Sequence, residues 1–190
     1  MLGMNKIIVL LLLLGFMSCK SNSQQITSES EETNEVKNNS ELKVDKPTET
    51  SFTDSKGEVI EKVIKTSEEW ASELDKQEYY VLREKGTERS FTSPLLKNKE
   101  NGIYTCGACD LPLFDSKTKF KSGTGWPSFY QPIDKEVILE DTDRDLGYTR
   151  TEVMCRRCEG HLGHVFKDGP APTGLRYCIN GVSLSFRKDK

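Results

Sequence analysis

Four of the six cysteines in this chain of 190 residues come as two C-x-x-C pairs, Cys106-Gly107-Ala108-Cys109 and Cys155-Arg156-Arg157-Cys158. Each pair follows a run with strand character, "GIYTC" in one case and "YTRTEVMC" in the other. Two knuckles that each leave a strand can bring four thiolates to the corners of a tetrahedron. Zinc suits that set, because thiolates are soft ligands and Zn²⁺ imposes no other geometry. With all four positions taken by protein, the ion would be structural, pinning two loops together over a small core. Disulfides within or between the knuckles are the competing use if the chain is exported. A redox C-x-x-C is disfavoured, because no thioredoxin-like βαβ pattern surrounds either pair.

The export question arises at the first residues, "MLGMNKIIVLLLLLGFMSCK". Lys6 precedes an apolar core from Ile7 to Leu14 that is too short for a stable membrane span. Ser18 and Cys19 follow where a lipoprotein signal would be cut, so residues 1–19 resemble a bacterial lipoprotein signal with Cys19 as the lipidated residue. An ordinary cleaved signal with an incidental cysteine is the alternative. Residues 20–65 are rich in Ser, Glu, Asn, Lys and Thr and nearly free of aromatics. Such a segment cannot bury enough apolar surface to offset its ordering entropy, and it reads as a flexible tether. The expected location is exported and membrane-anchored, facing the periplasm or the cell exterior. A formal net charge of −3 gives no basic footprint for nucleic acid.

The catalytic or binding domain is expected over residues 66–190. Thr66 and Glu69 form a capping-box pattern, with Trp70 and Leu74 on one helical face. "QEYYVLREKG" reads as a continuing helix that stops at Gly86. Beyond it, "GIYTC", "KEVILE" and "YTRTEVMC" are strand-like, separated by Asp141-Thr142-Asp143 and by Pro and Gly. The fold class expected is mainly β with short helices at its N-terminal edge.

The only two histidines, His161 and His164, lie in "CEGHLGHVFKDG". Four cysteines already saturate a tetrahedral site, so these imidazoles are read as free for chemistry in a glycine-rich loop. Further on, "GLRYCINGVSLSF" carries Cys178. Strand alternation puts Leu175, Tyr177 and Ile179 on an apolar face and Arg176, Cys178 and Asn180 on the other. A cation beside a thiol favours the nucleophilic thiolate. An inert buried cysteine would usually have apolar neighbours on its own face, and this one has polar ones. After Gly181 the apolar phase flips to Val182, Leu184 and Phe186, which calls for a tight hairpin or a bulge at Asn180-Gly181.

Taken together, "CGACDLPLF", "SGTGWPSF", "CRRCEGHLGHVFKDGPAPTGLRYCIN" and "SLSF" closely resemble the methionine sulfoxide reductase B family. The resemblance runs from about Thr66 to Phe186. It implies a peptide-methionine (R)-S-oxide reductase acting on oxidised proteins and peptides. It also implies a mostly antiparallel fold of two sheets, with one structural zinc on Cys106, Cys109, Cys155 and Cys158 and no organic cofactor. Carried over by position, Cys178 matches the nucleophile, and His161 and His164 match histidines around the sulfoxide oxygen. Trp126 matches the indole that receives the substrate methyl, and Phe129, Asp168, Arg176 and Asn180 match residues lining the site.

One departure stands out. Many relatives carry a second, resolving cysteine where this chain has Thr124. A hydroxyl cannot attack a sulfenic acid to form a disulfide, so a one-cysteine cycle is expected, served by a small thiol or a thioredoxin-like partner. The expected assembly is a monomer, held at a membrane through the N-terminal lipid. The competing function is a tethered zinc-ribbon binding module. It would need none of Trp126, His161, His164, Arg176 or Cys178.

Overall fold

The computed structural model describes residues 49–144 and 147–190. The assigned signal and Cys19 lie outside the described residues. No helix among the described residues is long and apolar enough to cross a membrane.

The segment read as tether is not bare of structure. Strands β1 (Ser51–Thr53) and β2 (Val59–Glu61) form an antiparallel hairpin, with Phe52 opposite Ile60. Asp54 closes the turn by accepting from the N–H groups of Lys56 and Glu58. Phe52 is buried, and the Arg156 guanidinium lies 4.9 Å from its ring. Ile60 also packs on the core and Ser55 N–H donates to the Asp134 carboxylate, so the hairpin docks through long-range contacts that composition does not reveal. The tether reading is therefore corrected for residues 51–61.

Helix α1 (Ser67–Glu73) starts with the expected capping box, in which Thr66 and Glu69 satisfy each other's backbone N–H. Trp70 turns inward and is buried. The chain then departs from the expected long helix. Asp75 caps a separate helix α2 (Lys76–Leu82) by accepting from the N–H groups of Gln77 and Glu78. An Asp that can serve as N-cap competes with helix continuation, and here it wins. Helix α2 ends at Leu82 rather than near Gly86.

The strands that follow are β3 (Gly102–Cys106), β4 (Pro112–Asp115), β5 (Lys119–Phe120), β6 (Ser128–Phe129), β7 (Ile138–Asp143), β8 (Arg150–Cys155), β9 (His161–Phe166), β10 (Arg176–Ile179) and β11 (Leu184–Lys188). They build two larger antiparallel sheets, of order β5-β6-β10-β9-β8-β7 and β11-β3-β4. Asp141-Thr142-Asp143 is the end of β7 and not a turn. The fold is mainly β with antiparallel sheets and few helices, as expected.

The core sits between these two sheets. Phe129 and Tyr177 come from the six-stranded sheet, and Tyr104 and Phe114 from the three-stranded one. Phe129 stacks on Phe114 at 4.4 Å and meets Tyr104 edge-on at 5.0 Å. Each ring withdrawn from water contributes about 1.5–3 kcal/mol. Phe129 is fully buried there, so its assignment as a substrate contact is corrected: the ring belongs to the core. Alternation explains it, because Ser128 takes the face toward Cys178 and Phe129 the other.

Candidate active site

Each C-x-x-C pair sits at the end of a strand from a different sheet, Cys106 closing β3 and Cys155 closing β8. The two knuckles repeat one hydrogen-bond pattern. Cys106 N–H donates to Leu111 O and Asp110 N–H to Cys106 O, at 2.8 and 2.9 Å. Cys155 N–H donates to Gly160 O and Glu159 N–H to Cys155 O, at 2.9 and 2.8 Å. Asp110 and Glu159 both take positive φ, 60° and 58°, immediately after the second cysteine. The four sulfurs lie within 4.8 Å of one another. Cys106–Cys158 and Cys109–Cys155 are each 3.6 Å apart, far outside disulfide bonding. A tetrahedron of sulfurs about 2.3 Å from a central ion has edges of about 3.8 Å, so the set fits a metal such as zinc. Without a cation the sulfurs resist full ionisation. Donation of their own S–H protons to neighbouring sulfurs, then burial, pushes Cys106 and Cys155 well up. Cys158 goes down, because it accepts from the other three. A bound metal would stabilise all four sulfurs as thiolates.

Strand β10 carries Cys178 on the face away from the core, between Ser128 on β6 and His164 on β9. Beyond Asn180 the chain makes neither a hairpin nor a bulge. A 3₁₀ turn over Gly181–Ser183 carries it from the six-stranded sheet into β11 of the other sheet. A side chain at Gly181 would collide with the Ser93 hydroxyl, its Cβ only 1.9 Å away. The buried Glu88 carboxylate holds this turn by accepting from the N–H groups of Gly181 and Val182.

The histidines occupy strand β9, not a loop, and this corrects the expected placement. A bulge explains how both can serve one site. The β8–β9 register shifts between Val153 and Met154, which leaves Leu162 without a partner residue. The extra residue resets the alternation, and the rings of His161 and His164 meet at 5.4 Å. Gly163 sits in this bulge at φ 153°, with its Cα against the Cys178 carbonyl. A Cβ there would lie 2.1 Å from that oxygen. The glycine lets the histidine strand press against the cysteine strand.

A cleft of about 100 Å³ brings together Trp126, His164, Cys178 and Asn180, with Thr87, Arg150, Gly163 and Phe166 completing the wall. His161 lines an adjoining cavity with Lys85, Arg150 and Glu152 instead. His164 Nε2 is 2.7 Å from the Asp143 carboxylate, and His161 Nδ1 is 2.7 Å from that of Glu152. Burial lowers both imidazole pKa values, and the carboxylates only partly offset it. Both rings are therefore neutral at pH 7, each donating its bonded N–H to a carboxylate.

Arg176 and Asp168 stand beside the cleft as a bidentate pair, with both bonds at 2.9 Å. Burial works against the guanidinium charge, but the Asp168 carboxylate and the nearby Cys178 hold the Arg176 pKa above its ordinary value. The guanidinium also lies 4.3 Å from the Phe166 ring. Asn180 lines the cleft and is anchored through its amide: Oδ1 accepts from Glu88 N–H, and Nδ2 donates to Leu162 O. Those bonds hold the strand and leave one Nδ2 hydrogen unspent beside the cleft.

Sequence reasoning missed Glu88. Its carbonyl accepts from the Trp126 indole N–H at 3.1 Å, its N–H donates to Asn180, and its carboxylate caps the turn after β10. One residue thus fixes the indole, the asparagine and the exit of the cysteine strand. Nothing local in "KGTERS" announces it. Asp143 and Glu152 were missed for the same reason, since their contacts to the histidines depend on strand register.

The chain matches the SelR domain family over residues 74–188. It is 54% identical over 127 residues to "Peptide methionine sulfoxide reductase MsrB" of Leptospira interrogans, covering 67% of this chain and 97% of that protein. Proteins of the same name from Pseudomonas putida strain W619 and Methanosarcina mazei are 57% and 56% identical. Those matches cover 67% and 68% of this chain, and 96% and 92% of the relatives. The chain belongs to the MsrB family. As a member it is an oxidoreductase, and the cleft around Cys178 is its candidate active site.

Proposed function

We propose that this MsrB-family chain reduces the R epimer of methionine sulfoxide in proteins and peptides, with Cys178 as nucleophile. The observation that carries the reading is the cleft itself. A partly buried thiol, an indole wall and an imidazole backed by a carboxylate share a space suited to a methylsulfinyl group. The sulfoxide sulfur is electrophilic, but its oxygen leaves poorly unless protonated. Neutral His164 can take the Cys178 proton on its free nitrogen as the sulfur attacks. Asp143 on the other nitrogen stabilises the imidazolium. The same proton then reaches the sulfoxide oxygen, which ends on Cys178 as a sulfenic acid while methionine leaves. Two electrons pass from the cysteine sulfur to the substrate sulfur. Trp126 packs the methyl, and this fixes which epimer presents its oxygen to His164.

Thr124 stands 3.6 Å from the Cys178 sulfur, in the place a resolving cysteine would need. The sulfenic acid is therefore reduced from outside: two thiol equivalents, from a small thiol or a thioredoxin-like dithiol, give a disulfide and water. Zinc held by Cys106, Cys109, Cys155 and Cys158 joins the two sheets and takes no part in the chemistry. Turnover of a blocked methionine sulfoxide with dithiothreitol tests the reading. Consumption of the R epimer alone is expected, and an inert, zinc-replete enzyme would refute it.

We also propose that residues 1–19 direct export and that Cys19 carries the lipid anchor. The basis is the sequence pattern alone. Expressed in a bacterium, the full chain should partition into the detergent phase, and Cys19→Ala should move it to the aqueous phase. Equal partitioning of the two removes this part of the proposal.

A further inference from the structure

A line of hydroxyls runs from the backbone of Trp126 to the Cys178 sulfur. Ser128 Oγ donates to the Trp126 carbonyl at 3.1 Å. Ser128 and Ser122 are 2.7 Å apart, Ser122 and Thr124 2.9 Å, and Thr124 Oγ1 is 3.6 Å from Cys178 Sγ. Each hydroxyl has one proton to give. A carbonyl can only accept, so Ser128 spends its proton on Trp126. Ser122 must then donate to Ser128, and Thr124 to Ser122. Thr124 arrives at the sulfur with lone pairs only. Ser128, the anchor of the line, is buried and directly opposite Cys178 on the neighbouring strand, while Ser122 and Thr124 are half-buried.

We propose that the Ser128–Ser122–Thr124 chain is a directional lock on the nucleophile: it accepts the Cys178 S–H in the resting enzyme and withholds a donor from the thiolate. Reversal requires all three hydroxyls to rotate and Ser128 to give up the Trp126 carbonyl. Ionisation of Cys178 is thereby tied to the backbone that carries the substrate-binding indole. These residues act through the sulfur and are positioning residues. The functional meaning rests on Cys178 being the nucleophile, but the proton order itself does not.

The other charged and titratable groups around the sulfur are Arg176 on its own strand and His164 opposite it on β9, with Asp143 behind. Arg150 from β8, Asp168 on Arg176, and Glu88 under the indole complete the set. None is altered in the test. Iodoacetamide alkylation of Cys178 in the full chain is followed by peptide mass spectrometry across pH 5–9, which reads this thiol whether or not sulfoxide is reduced. In Ser128→Ala the chain loses its anchor, Thr124 becomes free to donate to the thiolate, and the profile moves to lower pH. Alkylation at pH 7 should rise on the order of threefold to tenfold. Ser122→Ala frees Thr124 in the same way and serves if the buried substitution fails to fold. The gain must vanish when Thr124→Val is added and persist with Thr124→Ser. An unchanged or slower Ser128→Ala, or a gain that survives Thr124→Val, overturns the proposal.

Discussion

Cys178→Ser will remove sulfoxide reduction, by about three orders of magnitude or more, while leaving the fold and the metal content unchanged. A serine hydroxyl is a far weaker nucleophile at neutral pH, and it cannot form the sulfenic acid of the proposed cycle. The substitution is nearly isosteric, and the cysteine touches the cleft rather than the core. Stability should therefore change by less than about 1 kcal/mol. Single-turnover reduction of the R epimer, with metal content and thermal melting on the same sample, checks each clause. Full activity in the variant would end the case for Cys178. Loss of metal along with activity would mean that the two sites are not independent.

Stripping the metal from the four-cysteine cluster will unfold the domain or lower its melting temperature sharply. Structural zinc bound by cysteine sets contributes about 10–16 kcal/mol in small peptides, and whole domains are stable by only about 5–15 kcal/mol. The loss is large here because each knuckle ends a strand of a different sheet. Without the ion, weak sulfur–sulfur hydrogen bonds and the Arg157 bond to the Cys109 carbonyl are left to link the two knuckles. A strong chelator should release one zinc per chain and collapse the melting transition, and added zinc should restore it. Cys158→Ser should do the same permanently. A chain that purifies without metal and melts identically with and without chelator would remove the structural role.

Much of this was readable in the sequence where the signal is local. The capping box at Thr66 needs only residues three apart, and it forms as written. The alternation around Cys178 follows from strand geometry, and the structure keeps Tyr177 and Ile179 inward and Cys178 outward. Local signals also misled. "SEEWASELDKQEYY" has helical character throughout, but Asp75 prefers to cap, which splits it. Glycines 160 and 163 suggested a loop, whereas Gly163 serves the close approach of two strands.

By itself, then, the sequence determined the two cysteine pairs that meet in one cluster, the β class and the polar face on which Cys178 lies, because each depends on residue type and short spacing. Tertiary structure alone decided the rest. It placed Phe129 in the core, put Glu88 beneath the indole, backed His164 with Asp143 and docked the hairpin through Phe52. Those outcomes depend on strand register and on which sheet a strand joins. Both are settled by many weak contacts between residues far apart in the chain, and no single stretch of sequence encodes them.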